Sequence, residues 1–178
     1  MNQFLKILVL GLCTTIVGCN QTPSLEKYFV TNSEKPNFVS IDMAPSMLDT
    51  KKLNLTPDQQ LAMKGFDKMN VLIFKKTDKN IAEFDSERKV LNEILKNDKY
   101  QDLIRFSIGK QGATLSYVGN DNKVSEIIVS GNKTDVGLAV VRITGKDMNP
   151  NNILKMVSVL QNQNMDFKVF QPIFDALK

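Results

Sequence analysis

The chain contains no histidine and no tryptophan, and its 178 residues include only two cysteines, Cys13 and Cys19. Without histidine there is no side chain that titrates near neutrality, so the usual general base and the commonest metal ligand are missing. A thiolate zinc centre needs several Cys or His ligands and is excluded. If the segment bearing Cys13 is removed, a single cysteine remains and no intramolecular disulfide can form. A long apolar run is also lacking: the uncharged stretch from Ile7 to Gly18 would span about 18 Å as a helix, well short of the ~30 Å hydrocarbon core. Nor is there a strong charge of one sign. The formal net charge is +4, and many of the lysines sit near acids, as in Asp78-Lys79 and Glu87-Arg88-Lys89. A phosphate-tracking stripe is therefore absent, which argues against nucleic acid as a partner.

What is present is the composition of an ordinary globular protein, with 42% hydrophobic and 24% charged residues in a length suited to one domain. The N-terminus carries the clearest signal. Met1 to Lys6 is a short, weakly positive start, and the apolar run after it ends Ile16-Val17-Gly18-Cys19. This order resembles a bacterial lipobox, in which a small residue precedes the cleaved bond and a thiol accepts a diacylglycerol. The expectation is a signal peptide over residues 1–18, cleavage between Gly18 and Cys19, and lipid attachment at Cys19. Two or three acyl chains there would hold the protein stably on a membrane, whereas one holds only marginally. The competing reading is an uncleaved chain with Cys19 as an inert core thiol. Residues 19–23 then form the lipidated cysteine and a polar spacer; its four residues Asn20 to Pro23 reach at most about 14 Å.

Residues 24–178 read as a single α+β domain. Leu25 and Phe29 suit a short helical turn, and Phe38 to Met43 alternates as a strand. Pro45 suits the start of a helix through Leu48, and Thr56-Pro57-Asp58-Gln59 the start of another, ending near Gly65. The run Asn70 to Phe74 is nearly all apolar, as in a central strand covered on both faces. Asp85-Ser86-Glu87 then opens a helix with Val90, Leu91, Ile94 and Leu95 as its apolar stripe. Four alternating strands follow: Ile104 to Ile108, Ala113 to Tyr117, Val124 to Ser130 and Val136 to Thr144. Their expected turns are Lys110-Gln111-Gly112, Gly119 to Asn122 and Gly131-Asn132. Asn149-Pro150 starts a last helix with Ile153, Met156, Val157 and Leu160 on one face. The tail from Gln161 to Lys178 carries Phe167, Phe170 and Phe174, and reads either as a docked helix or as a segment for a partner or lipid surface. The expected architecture is a mostly antiparallel sheet of about six strands, ordered β-α-α-β-α and then a four-strand meander, with helices on one face.

Three Ser-x-x-Lys pairs occur, Ser24/Lys27, Ser86/Lys89 and Ser107/Lys110. In serine–lysine acyl enzymes this spacing sets the amine one helical turn from the hydroxyl. Lys133-Thr134-Asp135 lacks the glycine of that family's last motif, and the pairs read as solvated surface groups. Gly109-Lys110-Gln111-Gly112 matches a GxxG loop by spacing but bridges two alternating strands, so a hairpin fits better. Asp42 and Glu126 are the acids that would have to meet for acid–base work. Asn120 with Asp121-Asn122 offers calcium ligands but lacks the alternating oxygens of an EF-hand and reads as a turn. No catalytic residue, cofactor or metal ligand is assigned.

Several of these stretches together carry a resemblance. They are the lipobox, the strand Phe38 to Met43 followed by Ala44 to Leu48, Tyr100-Gln101-Asp102-Leu103 leading into the meander, and the closing Val140 to Lys146. Over about Ser24 to Leu160 the chain is similar to the family known as domain of unknown function 4252, lipoproteins of Bacteroidetes-type bacteria. The resemblance implies an envelope lipoprotein and brings no catalytic residues. No acid occurs from Asn20 to Leu25, where a surface-export signal of such lipoproteins would carry a cluster, so the expected orientation is outer membrane facing the periplasm. The functional expectation is a non-enzymatic binding or structural module with an envelope protein partner. The alternatives are a lipid or apolar-ligand carrier, or a hydrolase using a carboxylate or Ser/Lys pair.

Overall fold

Strand-forming and helix-forming stretches of the sequence assemble into six strands and two helices in the computed structural model, which describes residues 23–44, 56–57, 60–61, 65–109, 111–120, 123–134 and 137–148. In chain order these are α1 (Leu25–Asn32), β1 (Phe38–Met43), β2 (Phe66–Lys75), α2 (Ile81–Leu95), β3 (Gln101–Ile108), β4 (Gln111–Asn120), β5 (Lys123–Lys133) and β6 (Gly137–Met148). The signal segment, Cys19, the helices expected from Pro45 and from Asn149, and the Phe-rich tail lie outside the described residues. Of the helix expected from Thr56, the described part holds one helical hydrogen bond, Gln60 N–H to Thr56 O at 2.9 Å.

The strands form one antiparallel sheet in the order β1-β2-β6-β5-β4-β3. β3 to β6 are the expected meander, and β6 closes against β2 over Gly137 to Gly145. β2 and β3 are four strand spacings apart, about 19 Å. The fifteen-residue α2 rises about 22 Å, so it suits the crossover that carries the chain from one to the other.

Both helices lie on one face. Leu25, Tyr28 and Phe29 of α1 and Phe84, Leu91 and Ile94 of α2 are buried with Phe38, Leu72, Phe74, Ile128, Leu138 and Val140 of the strands. Phe74 is central to this layer, with Phe38 edge-on at 5.1 Å and Phe84 at 6.2 Å between ring centroids. The opposite face carries a second apolar cluster, including Met43, Met69, Val71, Ile73, Leu115, Ile127, Ile143 and Met148. β2 is thus covered on both faces, as its apolar run requires.

Several boundaries differ from the sequence expectation. α2 starts at Ile81, not Asp85, because Phe84 is pulled into the core. The Asn80 side chain also ties down the preceding loop, accepting from Thr77 N–H at 2.7 Å and donating to Lys75 O at 3.0 Å. Val90 does not join the stripe: it is 41% exposed, whereas Leu91 is buried. β2 begins four residues before Asn70. Gly131-Asn132 is no turn but lies inside β5, where Gly131 pairs with Ala113 and Ala139 on its two sides. The chain reverses between Lys133 and Gly137 instead. The first hairpin reverses between Ile108 and Gln111, with Gln111 and Gly112 already paired in β4. Gly109 has φ 58°, the left-handed conformation a two-residue hairpin needs. Ile104 is 50% exposed because β3 is an edge strand whose register shifts between Asp102 and Ile104.

Candidate functional site

The paired strands set Arg105, Thr114 and Ser130 side by side on the helix-covered face. The next row holds Ser107, Gly112 and Asn132, before apolar Leu138 begins the core under the helices. Above them α2 presents Arg88 and Asn92, four residues apart and therefore on one helical face. Together these side chains line a cleft between α2 and the sheet, in two contiguous lobes of about 230 and 360 Å³ that share Asn92, Arg105, Thr114 and Ser130. Polar groups beneath a helix are not what packing alone would choose, since apolar side chains fill such a position without hydrogen-bonding demands.

The two guanidinium groups are held in place from outside the cleft. Arg88 bonds Asp85 at 3.2 Å one turn back on α2. Arg105 bonds Asp102 through both Nε and Nη2. Burial by itself would raise the Asp102 carboxyl, but the Ser116 hydroxyl at 2.7 Å and the Arg105 guanidinium outweigh it and hold it below the usual carboxylate range. Arg88 Nε is buried and has no hydrogen-bond partner. A donor in that state costs about 1–3 kcal/mol.

A second, shallower cleft of about 310 Å³ runs between α1 and α2. Its floor holds Tyr28 and Asn32, and Val90 and Ile94 form much of its apolar wall. Lys35 pairs with Glu87 across it at 3.6 Å. Burial and the neighbouring Glu87 carboxylate raise the Tyr28 hydroxyl, although the two make no hydrogen bond of ordinary geometry.

A match of residues 28–156 to the model of the domain of unknown function DUF4252 decides the family. The chain belongs to the DUF4252 family. No curated protein and no solved structure matches it.

In this DUF4252 member the residues singled out from sequence scatter. Gly18 and Cys19 lie outside the described residues. Ser24 is occupied as the N-cap of α1, where its Oγ accepts Lys27 N–H at 3.2 Å. Ser86 and Lys89 are exposed on α2, and Ser107 lies on edge strand β3; Ser107 lines one lobe of the cleft and Lys89 the other. Asp42 and Glu126 share a face of the sheet but lie three strand spacings apart, about 14 Å. Asp42 meets Lys68 at 3.2 Å and accepts from Asn70, and Glu126 pairs with Arg142 at 2.8 Å. Asn120 serves the second hairpin, its side chain accepting Lys123 N–H at 3.0 Å. Among the described residues there is no group of three or more His, Cys, Asp or Glu able to hold a metal ion, and no helix is long and apolar enough to cross a membrane.

The cleft under α2 was not foreseen from sequence, because Arg88 and Arg105 belong to different elements. One signal was available. The chain holds twenty lysines and only three arginines, Arg88, Arg105 and Arg142, and two of the three meet in this cleft.

Proposed function

We propose that this DUF4252 member is a membrane-tethered, non-enzymatic binding module of the bacterial cell envelope. It is fastened by acyl chains on Cys19 and faces the periplasm from the outer membrane. No cofactor enters the reading. The working surface is the cleft between α2 and the sheet, open to a ligand or to an envelope protein partner. The observation that carries the reading is the convergence of polar side chains from α2, β3, β4 and β5 on one concave surface. Binding is favoured over catalysis because a general base is hard to find here. Histidine is lacking, the carboxylates Glu87, Asp102 and Glu126 each face a cation, and the half-buried Glu83 accepts from the Asn37 amide at 2.7 Å.

The tether is tested by labelling cells with palmitate and fractionating membranes. The native chain should incorporate label and sediment with the outer membrane. Cys19→Ala should take up none and appear in the soluble periplasmic fraction. An unlabelled native chain that begins at Met1 would remove the anchor. Cross-linking in intact cells tests the binding role, which fails if the native chain recovers nothing that an Arg88/Arg105 double variant does not.

A carrier of apolar ligands has one observation in its favour, the apolar wall of the cleft between α1 and α2. Lipid extracted with the purified chain and lost on Val90→Asp substitution would support it; a lipid-free preparation would oppose it.

A further inference from the structure

Arginine differs from lysine in presenting a planar fork of donors, which matches the two oxygens of a carboxylate or phosphate. A chain that uses lysine for nearly all its surface cations has spent two of its three arginines on one cleft. The third, Arg142, is engaged elsewhere, with Glu126 at 2.8 Å.

The donors of the first two are only partly used. Arg88 gives Nη2 to Asp85 and leaves a buried Nε without a partner. Arg105 turns Nε and Nη2 to Asp102. Neither Asp85 nor Asp102 lines the cleft; they fix the guanidinium groups from behind. Lys89 and Lys96 line the outer lobe, and Glu93, which lines it too, is already bound to Lys96 at 2.6 Å. The lining thus carries four cations, Arg88, Lys89, Lys96 and Arg105, against the single acid Glu93, with Asp85 and Asp102 each pairing one arginine. Asn92, Thr114 and Ser130 line the same cleft, side chains that exchange hydrogen bonds with hydroxyls.

We infer that the cleft between α2 and the β3–β5 strands binds a small oxyanion-bearing ligand. Its carboxylate or phosphate sits on Arg88 and Arg105, and its hydroxyls meet Asn92, Thr114 and Ser130. The inference rests on the cleft being the binding surface, but not on the lipid tether.

The three arginines provide the test. The full chain, purified in neutral detergent with only arginine labelled by nitrogen-15, gives one Nε–H resonance for each. It is titrated separately with inorganic phosphate and with gluconate, the phosphate and the hydroxylated carboxylate as probes, at constant ionic strength. The expected result is a saturable shift of the Arg88 and Arg105 resonances while Arg142 stays in place. Arg105→Lys, which keeps the charge and loses the fork, should weaken the binding by about tenfold. Thr114→Val should weaken gluconate but not phosphate. An unmoved Arg142 resonance in each variant shows that the sheet is intact. Absence of saturable shifts with both probes overturns the inference. So does an equal drift of all three resonances, or unchanged binding in Arg88→Lys and Arg105→Lys. Such a failure leaves the tether unaffected, because palmitate labelling reads that separately.

Discussion

Gly137 opens β6 with φ 147°, a conformation that disfavours any side chain, and a Cβ there would stand 2.0 Å from Phe74 O. Its close approach to β2 is what lets β6 pair with Lys75 on one side and Lys133 on the other. Gly137→Ala should cost about 3 kcal/mol through backbone strain and a displaced strand, read as a lowered urea midpoint. Asp102 makes a prediction about pH. Its folded-state pKa lies below the ordinary value, so its carboxylate stabilises the fold above the unfolded pKa of about 3.9. That contribution is lost as pH falls through the lower, folded value. Asp102→Asn keeps an acceptor for Ser116 and gives up the ion pair with Arg105. The stability gap between native and variant should be full at neutral pH and close below about pH 4 in urea titrations. The gap should be modest, because Asp102 is partly exposed.

At the scale of elements, α2 shows where sequence patterning succeeds and where it stops. Its apolar spacing is legible at Leu91 and Ile94, which are buried. Helical period alone cannot rank Val90 against Leu91, since both fit a broad stripe, and only the angle at which α2 crosses the sheet decides. The two therefore make a matched pair. Leu91→Ala should cost about 2–5 kcal/mol, whereas Val90→Ala should stay within about 0.5 kcal/mol; thermal denaturation of both variants measures the contrast. The start of α2 was hidden for a related reason. Asp85-Ser86-Glu87 looks like a helix opening, but Phe84 contributes core contacts that local capping preferences do not include. Gly131 misled in the same way. A glycine followed by asparagine resembles a turn, yet here small residues on both neighbouring strands, Ala113 and Ala139, pair with it directly.

Over the whole molecule, the α+β class, the antiparallel meander and the helices on one face were legible because each follows from local period. The return of β6 to β2 was not, since pairing between strands some seventy residues apart leaves no local trace. The cleft under α2 exists only because of that arrangement, which carries the helix back over β4 and β5. The sheet order has a further consequence for stability. Met43 ends β1, Phe66 begins β2, Val124 lies near the start of β5 and Met148 ends β6, and the register brings these positions to one end of the sheet. The chain thus departs into residues 149–178 from the edge of the second apolar cluster, which Met43, Val124 and Met148 help to form. Both described helices lie on the other face. In the sequence beyond that exit, Ile153, Met156, Val157 and Leu160 recur at the spacing of one helical face. Each of Met69, Val71, Ile73 and Ile143 gains about 1.5–3 kcal/mol from burial, so uncovering four of them removes a quantity comparable with the whole stability of a domain, about 5–15 kcal/mol. A chain ending after Met148 should therefore lose its cooperative urea transition and bind an apolar dye, while one ending after Met165 should keep its transition. An unchanged midpoint in the shorter chain would move the cover of that face to the interval between β1 and β2.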